Sequence, residues 1–466
     1  MPAIFLYLAT TAGLLFVWQR YVQPVTRAAA IALVLLPLCF TGGALLTGRV
    51  YAPIDMPFMS EPLQDYKRDH GIEGAHNGTL SDLYMQMIPW QGTVRATLLR
   101  GEWPLWNPHL LCGSILAANM QSAVYDPLTW LGLLVPQAQA LTYGAAMSFF
   151  FAAFFTFFFA RALGLGELAA LVAAAAYTFS GMLAFFIGWP LGRAWALFPF
   201  VMLGVRFVVR ETSVRAAVLL TTAFVLALVA GHPESVLHLC TLGAIYGVYE
   251  VAVTRRWKAI PLAILSGAVA LLLTAIALLP FFAVMNETTE HELRKGYFAQ
   301  IELPSSRLAV ERRAGVSLLP WYGGQPERAN LAPMWEPTSI RTGSIALALA
   351  LAALLLAPRR DTWFFLMLAV FCTWVGLNAW PVAHFLHTLP LFDITLNERL
   401  ANAAAFSIAI LAAIAVDAWP ATRERTLRAA GVIAAVGVAL GIATFMLRDA
   451  QIAQGVKPGL ITMLTL

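Results

Sequence analysis

The stretch LTYGAAMSFFFAAFFTFFFAR, residues 141–161, runs for twenty residues without a charge and then meets an arginine. A helix that crosses the hydrocarbon of a bilayer needs about 17–25 mainly apolar residues, and this run fills that length. Its residues do not alternate apolar and polar, as a strand of a membrane barrel does. In lipid only a helix or a closed barrel satisfies its own backbone. The stretch therefore reads as a transmembrane α-helix.

The same signature recurs on both sides. Of the 466 residues, 60% are hydrophobic and 12% charged, and the mean hydropathy is +0.73. Apolar blocks run over 3–18, 29–47, 141–160, 168–187, 194–210, 216–231, 236–252, 259–284, 343–357, 362–378, 400–418 and 429–446. The expectation is an all-α polytopic integral membrane protein of about twelve spans, a single transmembrane domain over 1–466. The run PLTWLGLLVP, 127–136, is too short to span and reads as interfacial or re-entrant. The first block lacks a basic leader and a small-residue cleavage site, so it reads as a retained helix.

Arginines give the orientation. Arg20, Arg161, Arg206, Arg210, Arg215, Arg255, Arg359 and Arg423 lie at or just past the ends of odd-numbered spans. By the positive-inside rule these short loops are cytoplasmic and both termini lie outside. That rule also accounts for the net charge of +5, so the basic balance does not point to nucleic acid. No two of Cys39, Cys112, Cys240 and Cys372 have metal-ligand spacing. The remaining loops face outward. Two are long, about 48–126 and 285–342, and the first is the candidate catalytic loop.

That first loop is rich in chemistry-bearing types. It holds Asp55, Asp82 in LSDLYMQMIPW, and the string GEWPLWNP with Trp103, Trp106 and Asn107. Plainer readings exist for each. Asp82 near a helix start suits a cap or the helix dipole. Tryptophans beside prolines suit the headgroup level of a membrane. The outer turn GHPESVLH places His232, Glu234 and His238 close in sequence, but its spacing is not H-E-x-x-H.

The pattern Asp82, Tyr84, Gln86, Pro89, then Gly101, Pro104, Leu105, Trp106, Asn107, Pro108, Gly113, then Ala118, Gln121, Ala123, Pro127 resembles the first outer loop of the YfhO family of bacterial membrane proteins. AWALFPFVMLGV (194–205) and NERLANAAAFSIAILAAIAVDAW (397–419) are similar to later parts of that family. YfhO-like proteins resemble the GT-C glycosyltransferases. The resemblance implies a many-helix fold in the bacterial inner membrane and a donor sugar carried on a polyprenyl phosphate. It implies an envelope glycan or lipid as acceptor, and a catalytic acid in the first outer loop. By motif that acid is Asp82, with Asp55 as the alternative. The chain is shorter than typical members and has an extra N-terminal span. A divalent metal is admitted without a ligand set, because no D-x-D pair accompanies Asp82.

Transfer from a lipid phosphate needs a base for the acceptor hydroxyl and cations for the leaving phosphate. Asp82 is the candidate base. Arg399 is the first candidate for the phosphate, then Arg193 and His232; Tyr84, Gln86, Trp103, Trp106, Asn107 and Gln121 are candidate substrate contacts. Two rival classes remain: a lipid or glycan transporter or flippase, and a non-catalytic envelope-assembly protein. The spans carry almost no ionisable residue at mid-depth, which disfavours ion-coupled transport.

Overall fold

The computed structural model describes residues 2–75, 78–110, 112–300, 310, 313–315, 317, 340–419 and 423–446. Every one of the twelve apolar blocks is helical. α1 (Pro2–Tyr21) is the first block; α2 (Arg27–Leu35) and α3 (Leu38–Thr47) share the second. The first long loop holds α4 (Ile88–Leu99) and α5 (Pro127–Gly132), and α6 (Gln137–Ala162) follows. Then come α7 (Glu167–Thr178), α8 (Gly181–Phe185), α9 (Pro190–Ala196), α10 (Phe198–Glu211), α11 (Val214–Val229), α12 (Pro233–Thr254), α13 (Ala259–Leu273) and α14 (Ala275–Met285). The later part holds α15 (Thr289–Gln300), α16 (Ser344–Leu356), α17 (Arg360–Gly376), α18 (Val382–His387), α19 (Ala401–Asp417) and α20 (Arg423–Met446). Most of the second long loop lies outside the described residues. Among the described residues the only strand pairing is a two-residue ladder, Trp106–Asn107 against Ser114–Ile115.

The chain is thus an all-α membrane protein, but apolar blocks and spanning helices are different counts. Among the described residues, five continuous helices are long and apolar enough to cross, or up to seven if each bent pair is one span. α2 and α3 meet at 66°, where Pro37 lacks an N–H to continue the ladder. α13 and α14 meet at 76°. α7, α11 and α16 are apolar but shorter. α11 has 16 residues, a length of about 24 Å at 1.5 Å per residue, short of a hydrocarbon core of about 30 Å.

The chain divides into two compact units. The first comprises 1–152 and 186–287. Its centre is α10, where every residue from Phe198 to Val209 is buried. Glycines set how closely its neighbours approach. A Cβ on Gly204 would lie 2.9 Å from the Leu220 Cα of α11, and one on Gly243 of α12 would lie 3.0 Å from Val201 Cγ1. Such small-residue contacts are how helices gain van der Waals packing where lipid gives no hydrophobic drive. At the far end of α10, Glu250 of α12 is fully buried between two arginines. Arg206 pairs with its Oε1, Arg210 Nε donates to Oε2 at 2.7 Å, and Tyr246 donates to Oε1 at 2.9 Å.

The second unit comprises 153–185 and 288–466. Alanine-rich α19 packs against α7, α16 and α17, and its small side chains again permit close approach. Phe406 on α19 meets Phe159, Tyr177 and Phe365 with ring centroids 5.2–6.2 Å apart. At the other end of α19, Asp417 accepts the Gly166 N–H at 2.7 Å.

Before α19 the chain folds into a polar corner. Asn397 is 1% exposed; its Nδ2 donates to Phe392 O at 2.8 Å and contacts His387 Nδ1 at 3.2 Å. A ring nitrogen accepts such a bond only when neutral. Burial lowers the His387 pKa from its ordinary 6.5, against the opposing charge of Glu398. The folded corner therefore holds fewer protons than the opened chain, and its stability is lost as pH falls below about 6.5. Protection against hydrogen exchange across 382–400, taken relative to the intrinsic rate at each pH, is expected to fall between about pH 7.5 and 5.5, and His387→Gln should remove that fall.

Candidate functional site

The loop that ends in Asp126-Pro127 explains its own geometry. Asp126 is the N-cap of α5, with proline at the first helical position, the residue pair that starts helices well. Its Oδ1 accepts the Leu128 N–H at 2.8 Å. Its Oδ2 pairs with Nη1 of Arg193 on α9, and the two side chains are only 5% and 12% exposed. Arg193 Nε faces Ser148 Oγ of α6 at 3.5 Å. Gly144, one turn before Ser148, leaves the guanidinium its room: a Cβ there would lie 2.9 Å from Nη2. A desolvated ion pair is tolerated only when its remaining protons and lone pairs also find partners. Here a helix cap and a hydroxyl supply them.

Two further contacts hold the same loop. Gly231, just before α12, has φ +97°. A Cβ there would lie 2.6 Å from Met120 O and 3.3 Å from both Ala123 Cβ and Pro190 Cβ. Only glycine suits both that backbone and that approach. Upstream, Leu83 packs on Gly188, where a Cβ would lie 3.0 Å from Leu83 Cδ2. The turns before α9 and α12 therefore anchor two parts of the first long loop, one near residue 83 and one over 120–126.

The candidate residues fall into distinct settings. Asp82 is exposed and precedes a π-helical turn, Leu83–Met87, that runs straight into α4. It makes no capping hydrogen bond, but it is itself helical, one residue inside the turn that starts at Ser81, so of the two plain readings the first-turn acid holds and the cap does not. Tyr84 is half-buried and Gln86 exposed. Asp55 is half-buried before a 3-10 turn, Met56–Met59. Asn107 is 4% exposed and accepts the His109 N–H at 3.0 Å, so it shapes a turn. Trp106 covers Gly113, whose φ is +122° and whose Cβ would lie 2.1 Å from the indole. Trp103 sits 5.9 Å from Tyr125 and 6.0 Å from Trp130, centroid to centroid. Gln121 is half-buried in the 3-10 turn Met120–Ser122 beside Gly231. His232 caps α12, its Nδ1 accepting the Ser235 N–H at 3.1 Å.

Arg193 carries Asp126 as its counter-ion, which sequence reading missed. The D-P dipeptide signalled the cap; nothing signalled a partner 67 positions away. Arg399 lies in the second unit, half-buried in the 3-10 turn Asn397–Leu400. Among the described residues, no three of His, Cys, Asp and Glu converge as a metal would require. A recess between Met120, Tyr125, Val229 and Ala277 holds about 10 Å³, roughly one water.

Several apolar helices of spanning length, with charges buried at their ends and a folded loop between them, define a polytopic helical membrane protein. The chain matches the family model of the bacterial membrane protein YfhO over residues 66–309, more than half of its length, and belongs to that family. The matched range contains Asp82, Asp126, Arg193 and His232; the stretch 397–419 lies beyond it. Comparison with curated proteins and with solved structures returned no match.

Gly231→Ala should detach the 120–126 loop from its turn. The left-handed backbone costs a non-glycine residue about 1–2 kcal/mol, and the clash with Met120 O adds about 1–3 kcal/mol. Gly164→Ala shares the positive φ, +86°, with nothing within 4 Å, and should cost only the backbone part. Thermal unfolding of the two variants in detergent measures the difference.

Proposed function

We propose that the chain is a membrane glycosyltransferase that takes a sugar from a polyprenyl-phosphate donor and passes it to an envelope glycan or lipid. The observation that carries this reading is the contrast between two acids of one loop. Asp126 is buried and committed to Arg193, whereas Asp82 is exposed, with no capping bond, on a turn fastened by Leu83. An acid so placed is available to an incoming hydroxyl. Membership of the YfhO family and the helical membrane fold support the reading.

In this mechanism Asp82 accepts the proton of the acceptor hydroxyl. The freed oxygen attacks the anomeric carbon, and the bond from that carbon to the phosphate oxygen breaks with inversion. Polyprenyl phosphate leaves with the bonding pair. Arg193, neutralised by Asp126, orders the loop, and the charge of the leaving phosphate calls for a further cation. Tyr84, Gln86 and Gln121 are the assigned polar contacts to substrate, with Trp103 as a stacking surface. The proposal extends to a GT-C-like arrangement of about twelve spans in the inner membrane. Its arginine loops are cytoplasmic, and its termini and first long loop lie outside.

The test is turnover in liposomes, read as released polyprenyl phosphate, with an envelope extract as acceptor. Loss of a general base costs about 10²–10⁴-fold in rate, so Asp82→Asn should fall by that much while Asp55→Asn stays near wild type. The reverse pattern moves the base to Asp55. If Asp82→Asn turns over like wild type and restores a deletion strain, catalysis gives way to transport or assembly.

A further inference from the structure

The first long loop has two chemically opposite halves. Residues 55–73 carry Asp55, Glu61, Asp65, Lys67, Arg68, Asp69 and Glu73. From Trp103 to Tyr125 there is no Asp, Glu, Lys or Arg at all. A loop bathed in water has no reason to exclude charge over such a length.

The fold turns this uncharged half outward. In the short ladder Trp106 and Ile115 are directly paired, so both side chains leave the same face, and they are 53% and 50% exposed. The opposite face goes inward: Asn107 is 4% exposed, and Leu116, at 1%, packs with Val94 and Val124. An antiparallel ladder facing water shows the reverse order, polar outward and apolar inward. Leu105 is 54% exposed, Trp103 43% and Trp130 41%.

The depth of this surface is fixed by the start of the long apolar helix α6. Gln137, its first residue, donates to Ile88 O of α4 at 3.4 Å. Arg95 of α4 donates to Gly132 O and Leu133 O at the end of α5, at 2.9 and 3.2 Å. The outward tryptophans are thus carried by elements tied to the end of a membrane-length helix. Trp103 and Trp106 are not helical themselves. Non-helical backbone facing lipid is excluded from the hydrocarbon core, whereas tryptophan is enriched at the headgroup level.

We propose that residues 103–110 and 112–116 form a membrane-seated platform, with Trp106 and Ile115 inserted at the boundary between headgroups and acyl chains. The occupant is the bilayer itself, argued from the uncharged, tryptophan-bearing outer face and its tie to the first residue of a membrane-length helix. The proposal rests on the membrane location and not on the glycosyltransferase reading. Its consequence is that Asp126 and Arg193, which follow the platform, lie where a lipid-borne ligand arrives without leaving the membrane.

The test uses the full chain in lipid nanodiscs with Cys39, Cys112, Cys240 and Cys372 replaced by alanine. Single cysteines at Trp106, Ile115 and, as a control, Asp65 are spin-labelled. Collision with oxygen, which concentrates in lipid, is compared with collision with a water-soluble nickel chelate. The platform predicts oxygen exceeding nickel severalfold at 106 and 115 and the opposite order at 65. Restoring native Cys112, which is exposed in the same stretch, gives a third label that leaves Trp106 and Ile115 intact should their variants not fold. Nickel access at 106, 112 and 115 equal to that at 65 overturns the proposal. Shielding from both reagents also overturns it and points to a protein cover, such as a second copy of this chain.

Discussion

Where the first long loop reaches the helices, a carboxylate and a guanidinium meet largely out of water. Asp126 belongs to a loop and Arg193 to a helix, so their contact turns a flexible connection into part of the helical frame. Removing one partner of such a pair leaves the other charge buried, a cost of about 3–5 kcal/mol. The surrounding choices follow from it. Gly144 clears the space for the guanidinium, Ser148 faces its Nε, and the cap of α5 occupies the second carboxylate oxygen. Gly231 then lets the same loop lie against the start of α12.

The first unit uses the same device twice. At one end of the Pro190–Glu211 helix, Asp126 answers Arg193; toward the other, Glu250 answers Arg206 and Arg210. Arg193 and Arg206 are separated by thirteen residues, or about 20 Å along a helix. Between them the contacts are apolar and set by glycine. Charges at the ends and small residues in the middle fix the register of α10 against α11 and α12 more firmly than apolar packing alone could.

The membrane class was legible because length and apolarity are composition, and composition survives folding. The helix breaks were less so. The 168–187 block reads as one apolar run, yet its helix stops at Thr178 and restarts at Gly181, a local choice that hydropathy does not record. Asp82 looked like a cap because its neighbours look like a helix start. Asp82 instead lies within the first helical turn, just before the π-helical stretch, and its carboxylate closes no cap. Arg193 was visible as a cation in an outer turn, but its counter-ion lies far away in sequence. Pairing of that kind is tertiary and leaves no local trace. His232, a lower-ranked phosphate candidate in the sequence, caps α12 through Nδ1, a contact that the sequence does not announce.

The central claim is that Asp126 and Arg193 act as one coupled unit. A double-mutant cycle tests it most directly, using Asp126→Asn, Arg193→Gln and the pair, with unfolding free energy measured in one detergent. Coupled residues show interaction energies of about 0.5–3 kcal/mol, whereas independent sites add within about 0.3–0.5 kcal/mol. The account predicts a double variant less destabilised than the sum of the singles by more than about 1 kcal/mol. Simple additivity would contradict it, because the two groups would then be neighbours without being partners.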